Sequence, residues 1–268
     1  MLRFTCYKSK EFILLISLYS TKSKLKRHIS QLQTKIIRNI YLDFIQYSLH
    51  KRIHRDDRDE KGRVLPAVIH SNASQLWHKN NLLHRDDRDE NGKTLPAIIF
   101  NDGSQFWHKN GKCHRDDKDE NGRVLPAIIY SNGAKEWWTN DRRRRVDLDE
   151  KGRILPAIIR GDGTQFWYKD NECHRDERDE NGKTLPAAIR NNGDQDWYKN
   201  GLRHRDDKDE NGRVLPACVY SVGRSWYKNG RCHRDDLDEN GRVLPAVIRS
   251  DGSKDWYKNG VILTKPID

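Results

Sequence analysis

From about Arg52 to Gly260 the chain alternates short apolar runs with longer polar stretches on a fixed period. Pro stands at 66, 96, 126, 156, 186, 216 and 245, and Trp at 77, 107, 137, 167, 197, 226 and 256. The spacing is 30 residues, with one step of 29 around Gly223-Arg224-Ser225-Trp226. Self-similarity at such a period marks a repeat architecture, here of seven units. Each unit carries three turn signals, seen in Asp102-Gly103, Asn110-Gly111 and Glu120-Asn121-Gly122. Asn and Gly adopt positive φ at little cost, as two-residue hairpin turns require. Between these turns lie runs of about five residues, the usual strand length: Gln105 to Lys109, Lys112 to Asp116 and Leu125 to Tyr130. No unit shows a helical apolar period. The expected fold class is therefore an all-β repeat array, an elongated stack of short antiparallel strands and hairpins, behind an α-helical N-terminal segment.

Comparison of the units suggests which positions share a core. Leu65, Ala67 and Ile69 step by two and so fall on one strand face; position 70 varies among His70, Phe100, Tyr130, Arg160 and Arg190, as a solvated position would. Trp77, Trp107, Trp137, Trp167, Trp197, Trp226 and Trp256 form a structural ladder, buried or stacked. The residue before each Trp drifts through Leu76, Phe106, Glu136, Phe166, Asp196 and Ser225, which predicts exposure. An Arg follows the repeated His in every unit, including Arg145, where Arg144 replaces the His. Such an Arg can stack on the indoles or pair with strand carboxylates; an exposed binding ladder is the other reading.

Composition changes this picture only at the N-terminus. Hydrophobic and charged residues each make up 34% of the chain, too few apolar residues for a large layered core. Residues 1–50 hold nine Lys/Arg against two acids, leaving 42 against 38 for the rest, so most of the net +11 belongs to the first fifth. The repeats are a balanced polyampholyte with weakly paired solvated faces, and specific nucleic-acid binding is not expected. Five cysteines, an odd number, point to a reducing, intracellular setting. Three of them, Cys113, Cys173 and Cys232, precede the repeated His in every second unit, too far apart for disulfides.

Two kinds of chemistry come into question for these residues. Asp117-Lys118-Asp119-Glu120-Asn121-Gly122 matches the first half of a calcium loop, and Asp207, Asp209 and Asn211 repeat the pattern. Against metal, Lys61 and Lys151 occupy the fifth position in two units, and apolar residues such as Ile128 stand where a bidentate Glu belongs. The same residues also make a metal-free Asx turn. Catalysis requires a unique constellation with distinct roles, whereas His, Asp and Arg recur here in unit after unit. No catalytic residues, cofactor or small-molecule substrate are expected.

The stretch from Asp102-Gly103 through Trp107 and Asn110-Gly111 to His114 resembles MORN-type repeats. The fuller pattern, Trp-Tyr-Lys-Asn-Gly-x-x-His-Arg followed by Leu-Pro-Ala-x-Ile, looks like a variant of that family found in large DNA viruses and some bacteria. The likeness covers residues 52–260. The unit is longer than the family's, and Arg follows the His where the typical repeat has Gly. The resemblance implies stacked β-hairpins, protein association and, in some members, membrane contact.

Three regions follow: a basic, helical segment over 1–51, the repeats over 52–260 and a tail over 261–268. Residues 12–19 are apolar but too few to span a bilayer as a helix. Leu25, Ile29, Leu32, Ile36, Ile40 and Phe44 step by three and four, an amphipathic helix with basic neighbours. That helix can cap the first repeat, lie on an anionic membrane through residues 22–49, or bind a partner. The leading expectation is a non-enzymatic scaffold with a multivalent surface for protein partners. The alternatives are a membrane-surface protein and a weak repetitive calcium binder.

Overall fold

The structure, a computed structural model, describes residues 53–264. The expectations for a helix and membrane contact within 1–51 lie outside the described residues. Within them the fold is all-β, built of antiparallel hairpins with no helix. The described residues fall into two compact bodies, one up to Asn101 and one from Asp102 onward.

Every repeat uses the same three hairpins, seen in the second body from Lys118 to Arg143. The first is a small loop closed by the single bridge Lys118↔Val124. Asp119 N–H donates to Arg123 O at 2.8 Å, and Gly122, at φ 75°, makes the reversal. The second hairpin pairs Ile128–Ile129 with Lys135–Glu136 and belongs to the main sheet. The third pairs Trp138–Thr139 with Arg142–Arg143 as a separate two-stranded ribbon. Its turn residues Asn140 and Asp141 both have positive φ, as a tight hairpin turn of this hand requires. Trp137 lies between the second and third hairpins. Its N–H donates to Ala157 O of the next repeat at 2.9 Å, and its own carbonyl accepts from Arg144 N–H. In the first six repeats the chain steps from sheet to ribbon there, which limits the strands to two or three residues where longer ones were expected; in the seventh, Lys254–Lys258 runs on as one strand.

In the second body the main sheet runs antiparallel from Gln105–Phe106 through Ile128–Ile129, Lys135–Glu136, Ile158–Ile159 and Gln165–Phe166 onward to Val261–Leu263. In the first body Gln75–Leu76 is flanked by Val68–Ile69 and Ile98–Ile99. The pairing places residues in two rows. One row, facing the ribbons, reads Phe106, Ile128, Glu136, Ile158, Phe166, Ala188, Asp196 and Cys218. The row on the opposite face reads Gln105, Ile129, Lys135, Ile159, Gln165, Ile189, Gln195 and Val219.

This register corrects three expectations. The Ala of Leu-Pro-Ala is buried as expected, at 0–1% exposure in Ala97, Ala127, Ala157, Ala187, Ala217 and Ala246. Its alternation does not continue to Ile69 and its counterparts, which are half-buried, while Ile98 and Ile128, one residue earlier, are buried. The Pro-Ala segment is a bend and the ladder starts only after it, so counting by twos through the Pro misassigns the faces. Position 70 and the residue before each Trp are also not simply solvated. Tyr130 packs edge-on against Phe106 at 5.6 Å, and Asp196 is fully buried. Both sit beneath the folded-over ribbons.

Candidate interaction surface

Three layers of side chains result: a structural joint, a variable layer beneath the ribbons, and an outward row. The joint holds the ladder. Trp77, Trp107, Trp137, Trp167, Trp197 and Trp226 are 4–6% exposed. Each carries a guanidinium on its ring, such as Arg145 Cζ 3.9 Å from the Trp137 centroid and Arg175 at 3.9 Å from Trp167. A desolvated contact of this kind contributes up to about 2 kcal/mol. Arg145 Nε donates to Asp147 Oδ2 at 2.8 Å and its NH1 to Pro156 O. Asp147 in turn accepts Val124 N–H from the preceding repeat, whose carbonyl accepts Trp137 Nε1–H at 2.7 Å. Both readings of the repeated Arg as structural glue therefore hold at once, stacking and carboxylate pairing.

The repeated His completes the joint. His114 Nδ1 accepts Asn140 N–H, and its Nε2 lies 2.7 Å from Asp116 Oδ1, whose other oxygen meets Lys109 Nζ at 3.2 Å. His114, and after it Lys109, hold the Asp116 carboxyl below its ordinary range, and His84 does the same for Asp86 and His204 for Asp206. The backbone N–H of Arg153 lowers Asp149. A carboxylate depressed by folding stabilises fully above its unfolded pKa of about 3.9, and that stability is lost as pH falls through the folded value. Melting temperature is expected to fall steeply below about pH 4, read by circular dichroism on acidification. A flat profile through the acid range would exclude these carboxylates as stabilisers.

The variable layer alternates over two repeats. Repeats ending in Cys113 and Cys173 place Phe106 and Phe166 before the Trp; those ending in Arg143 and Arg203 place Glu136 and Asp196 there. Arg143 Nε lies 3.3 Å from Glu136 Oε2, and its guanidinium covers both Trp138 and Tyr168 of the next repeat. Arg203 likewise lies near Asp196 Oδ1 at 3.2 Å and reaches Tyr227. A long Arg in one repeat extends over the space that a small Cys leaves in the next. Arg190 NH2 donates to Asp196 Oδ2 at 2.9 Å, and the Tyr220 hydroxyl donates to Asp196 Oδ1. Burial, then the bond to Asp196, pushes the Tyr220 hydroxyl pKa up. Sequence reading missed these clusters. Their signal was the pairing of acid with Arg seven residues later, in register with the alternating Cys.

Among the described residues, Cys113, Cys173, Cys218 and Cys232 are free thiols. Burial raises Cys113, Cys173 and Cys218 to about 12 and Cys232 to about 11, leaving them as packing groups without thiolate character.

The calcium-loop residues do not converge. Asp119 Oδ1 accepts the N–H groups of Asn121 and Arg123, both at 2.9 Å, and Asp209 does the same for Asn211 and Arg213. Asp117 accepts Arg115 Nε–H at 3.0 Å; Asp207 accepts Arg205 Nε–H and Thr184 N–H. Among the described residues no three His, Cys, Asp or Glu side chains gather as a metal site. A cation would have to displace both the Asx bonds and a buried guanidinium. Melting temperature is therefore expected to be the same in chelator and in millimolar calcium. A rise of several degrees, abolished by Asp119→Ala with Asp209→Ala, would overturn this.

The outward row offers half-exposed Ile129, Ile159, Ile189, Val219 and Ile248 between Lys135, Gln165, Gln195 and Arg224. In this layer an apolar group recurs from repeat to repeat at a partly accessible face. No model of a known protein family matches the chain, and a search of curated proteins finds no similar one.

Proposed function

We propose that this chain is a non-enzymatic repeat scaffold that presents a multivalent surface to protein partners. The observation that carries the reading is the outward row, where each repeat displays one half-buried branched residue beside a Gln or a cation. Repeated weak contacts of this kind sum to useful avidity without any deep pocket. The resemblance to MORN-type repeats supports the same reading. Proximity labelling in the native cell tests it, with Ile159→Glu and Ile189→Glu combined as the control. The wild-type chain is expected to label a reproducible set of proteins, and the variant to lose that set while keeping its melting transition. Identical labelling would reject the row as the binding surface.

The basic excess of residues 1–50, nine Lys/Arg against two acids, favours a second reading, attachment to anionic membrane. Flotation with phosphatidylserine vesicles, comparing the full chain with a form whose Lys24, Lys26, Arg27, Lys35 and Arg38 are changed to Gln, decides it. Equal flotation of the two removes that reading.

A further inference from the structure

Repeat four breaks the surface pattern of its neighbours at one place. In the flanking repeats each outward cation has a close carboxylate: Lys109 and His114 share Asp116, and Lys169 and His174 share Asp176. Where repeat three passes into repeat four, Thr139 replaces the Lys, Arg144 the His and Val146 the Asp. Arg144 NH1 and Arg142 NH1 both turn to a single oxygen, Asp170 Oδ1, and neither comes closer than 3.7 Å. Two guanidiniums thus share one half-exposed carboxylate, and one positive charge is left over.

The change from charge to aliphatic continues along the same line. Val146 lies two residues before Leu148, and Leu148 pairs across its bridge with Ile154. The position of Leu148 holds Lys118, Arg178 and Lys208 in the neighbouring repeats. Val146, Leu148 and Ile154 are 58%, 50% and 39% exposed. Beside them opens a cleft of about 230 Å³ bounded by Arg144, Val146, Ile154, Lys169 and Asp170. The fold does not need an aliphatic residue at either position, because the other six repeats have Asp where Val146 stands and five of the seven have Lys or Arg where Leu148 stands, Leu237 being the other exception.

We infer that this cleft binds a short extended peptide in which a carboxylate side chain adjoins a branched aliphatic one. The carboxylate completes the shared Arg142–Asp170–Arg144 cluster, and the aliphatic side chain covers Val146, Leu148 and Ile154. A polyanion such as nucleic acid fits less well, because it carries no aliphatic side chain to cover the exposed Val146, Leu148 and Ile154. The inference rests on the scaffold reading and assigns one partner class to one repeat, separately from the outward row.

The test uses the full chain and a fluorescein-labelled nine-residue peptide alternating Glu with Leu and Val, followed by anisotropy. The informative variant returns repeat four to the sequence of repeat three: Arg144→His, Val146→Asp and Leu148→Lys together. That sequence already folds in repeat three, so the variant is expected to keep its melting transition. Saturable binding by the wild type is expected, weakened about tenfold or more in the variant, and weakened similarly for a peptide alternating Glu with Ser. Absence of saturable binding, equal binding by the variant, or tighter binding of a single-stranded DNA oligonucleotide would each overturn the inference. Proximity labelling that survives the triple variant but not Ile159→Glu with Ile189→Glu would overturn this cleft as a partner site while leaving the scaffold reading intact.

Discussion

Trp167→Ala is expected to destabilise the chain by roughly 3–5 kcal/mol, the usual range for truncating a buried Trp, and Trp256→Ala by clearly less. Trp167 is 6% exposed, and Arg175 lies 3.9 Å from its ring centroid. Its Nε1–H satisfies Ile154 O at 2.7 Å, and its main-chain N–H reaches Ala187 O of the following repeat. Truncation opens a cavity, leaves a carbonyl without its donor and removes the surface on which Arg175 rests. Trp256 keeps the corresponding bond, to Val243 O at 2.9 Å, but it is only half-buried, and Thr264 stands where the stacking Arg would be. In an array bonded between neighbours the damage stays local. The Trp167→Ala chain should therefore unfold in separated steps, with flanking repeats outlasting the fourth. Denaturant melts read by Trp fluorescence and hydrogen exchange would show this; coincident single transitions in both variants would argue for one cooperative core.

The second large effect is expected at Asp196. Asp196→Ala removes the only carboxylate among the bonds that Arg190, Arg203 and Tyr220 make within this cluster. Arg190 and Arg203 are 37% and 33% exposed and can both turn to water, whereas the half-buried Tyr220 hydroxyl loses its acceptor. An acceptor lost from such a cluster costs about 1–3 kcal/mol through the donors it leaves unsatisfied. Ser225→Ala, at the same place in the next repeat, should cost less than about 1 kcal/mol. Combining Asp196→Phe with Arg203→Cys gives repeat five the pair that repeat four has in Phe166 and Cys173, and this variant should be more stable than Asp196→Ala alone. Chemical denaturation of the three variants measures the coupling. A small loss for Asp196→Ala would mean that the cluster is held by packing and not by its charge.

The contrast between these two sites shows what could be read from the chain alone. The ladder was legible because Trp never varies in the repeats and each Arg follows at a constant offset. Turn positions were legible too: Asn110-Gly111 and Gly122 adopt the positive φ their residue types accept. The cluster at Asp196 was not legible by the same logic. Variation from Leu76 to Phe106 to Glu136 looks like solvent exposure when repeats are compared one at a time. It is instead a two-repeat alternation, in which each Arg fills the room left by the neighbouring Cys.

The sequence by itself determined the period, the all-β class, the three turns of each repeat and the burial of the indoles, since these depend on backbone preferences and on residues that recur without exception. Only the tertiary structure decided which row of each strand faces outward and which lies beneath the ribbons. The bend at each Pro-Ala resets the alternation, so the register follows from pairing between repeats and not from counting along one of them. The same pairing carries Arg143 and Arg203 into the next repeat's space, a relation between residues about twenty-five positions apart. Local propensity has no access to that distance; packing between neighbouring repeats does.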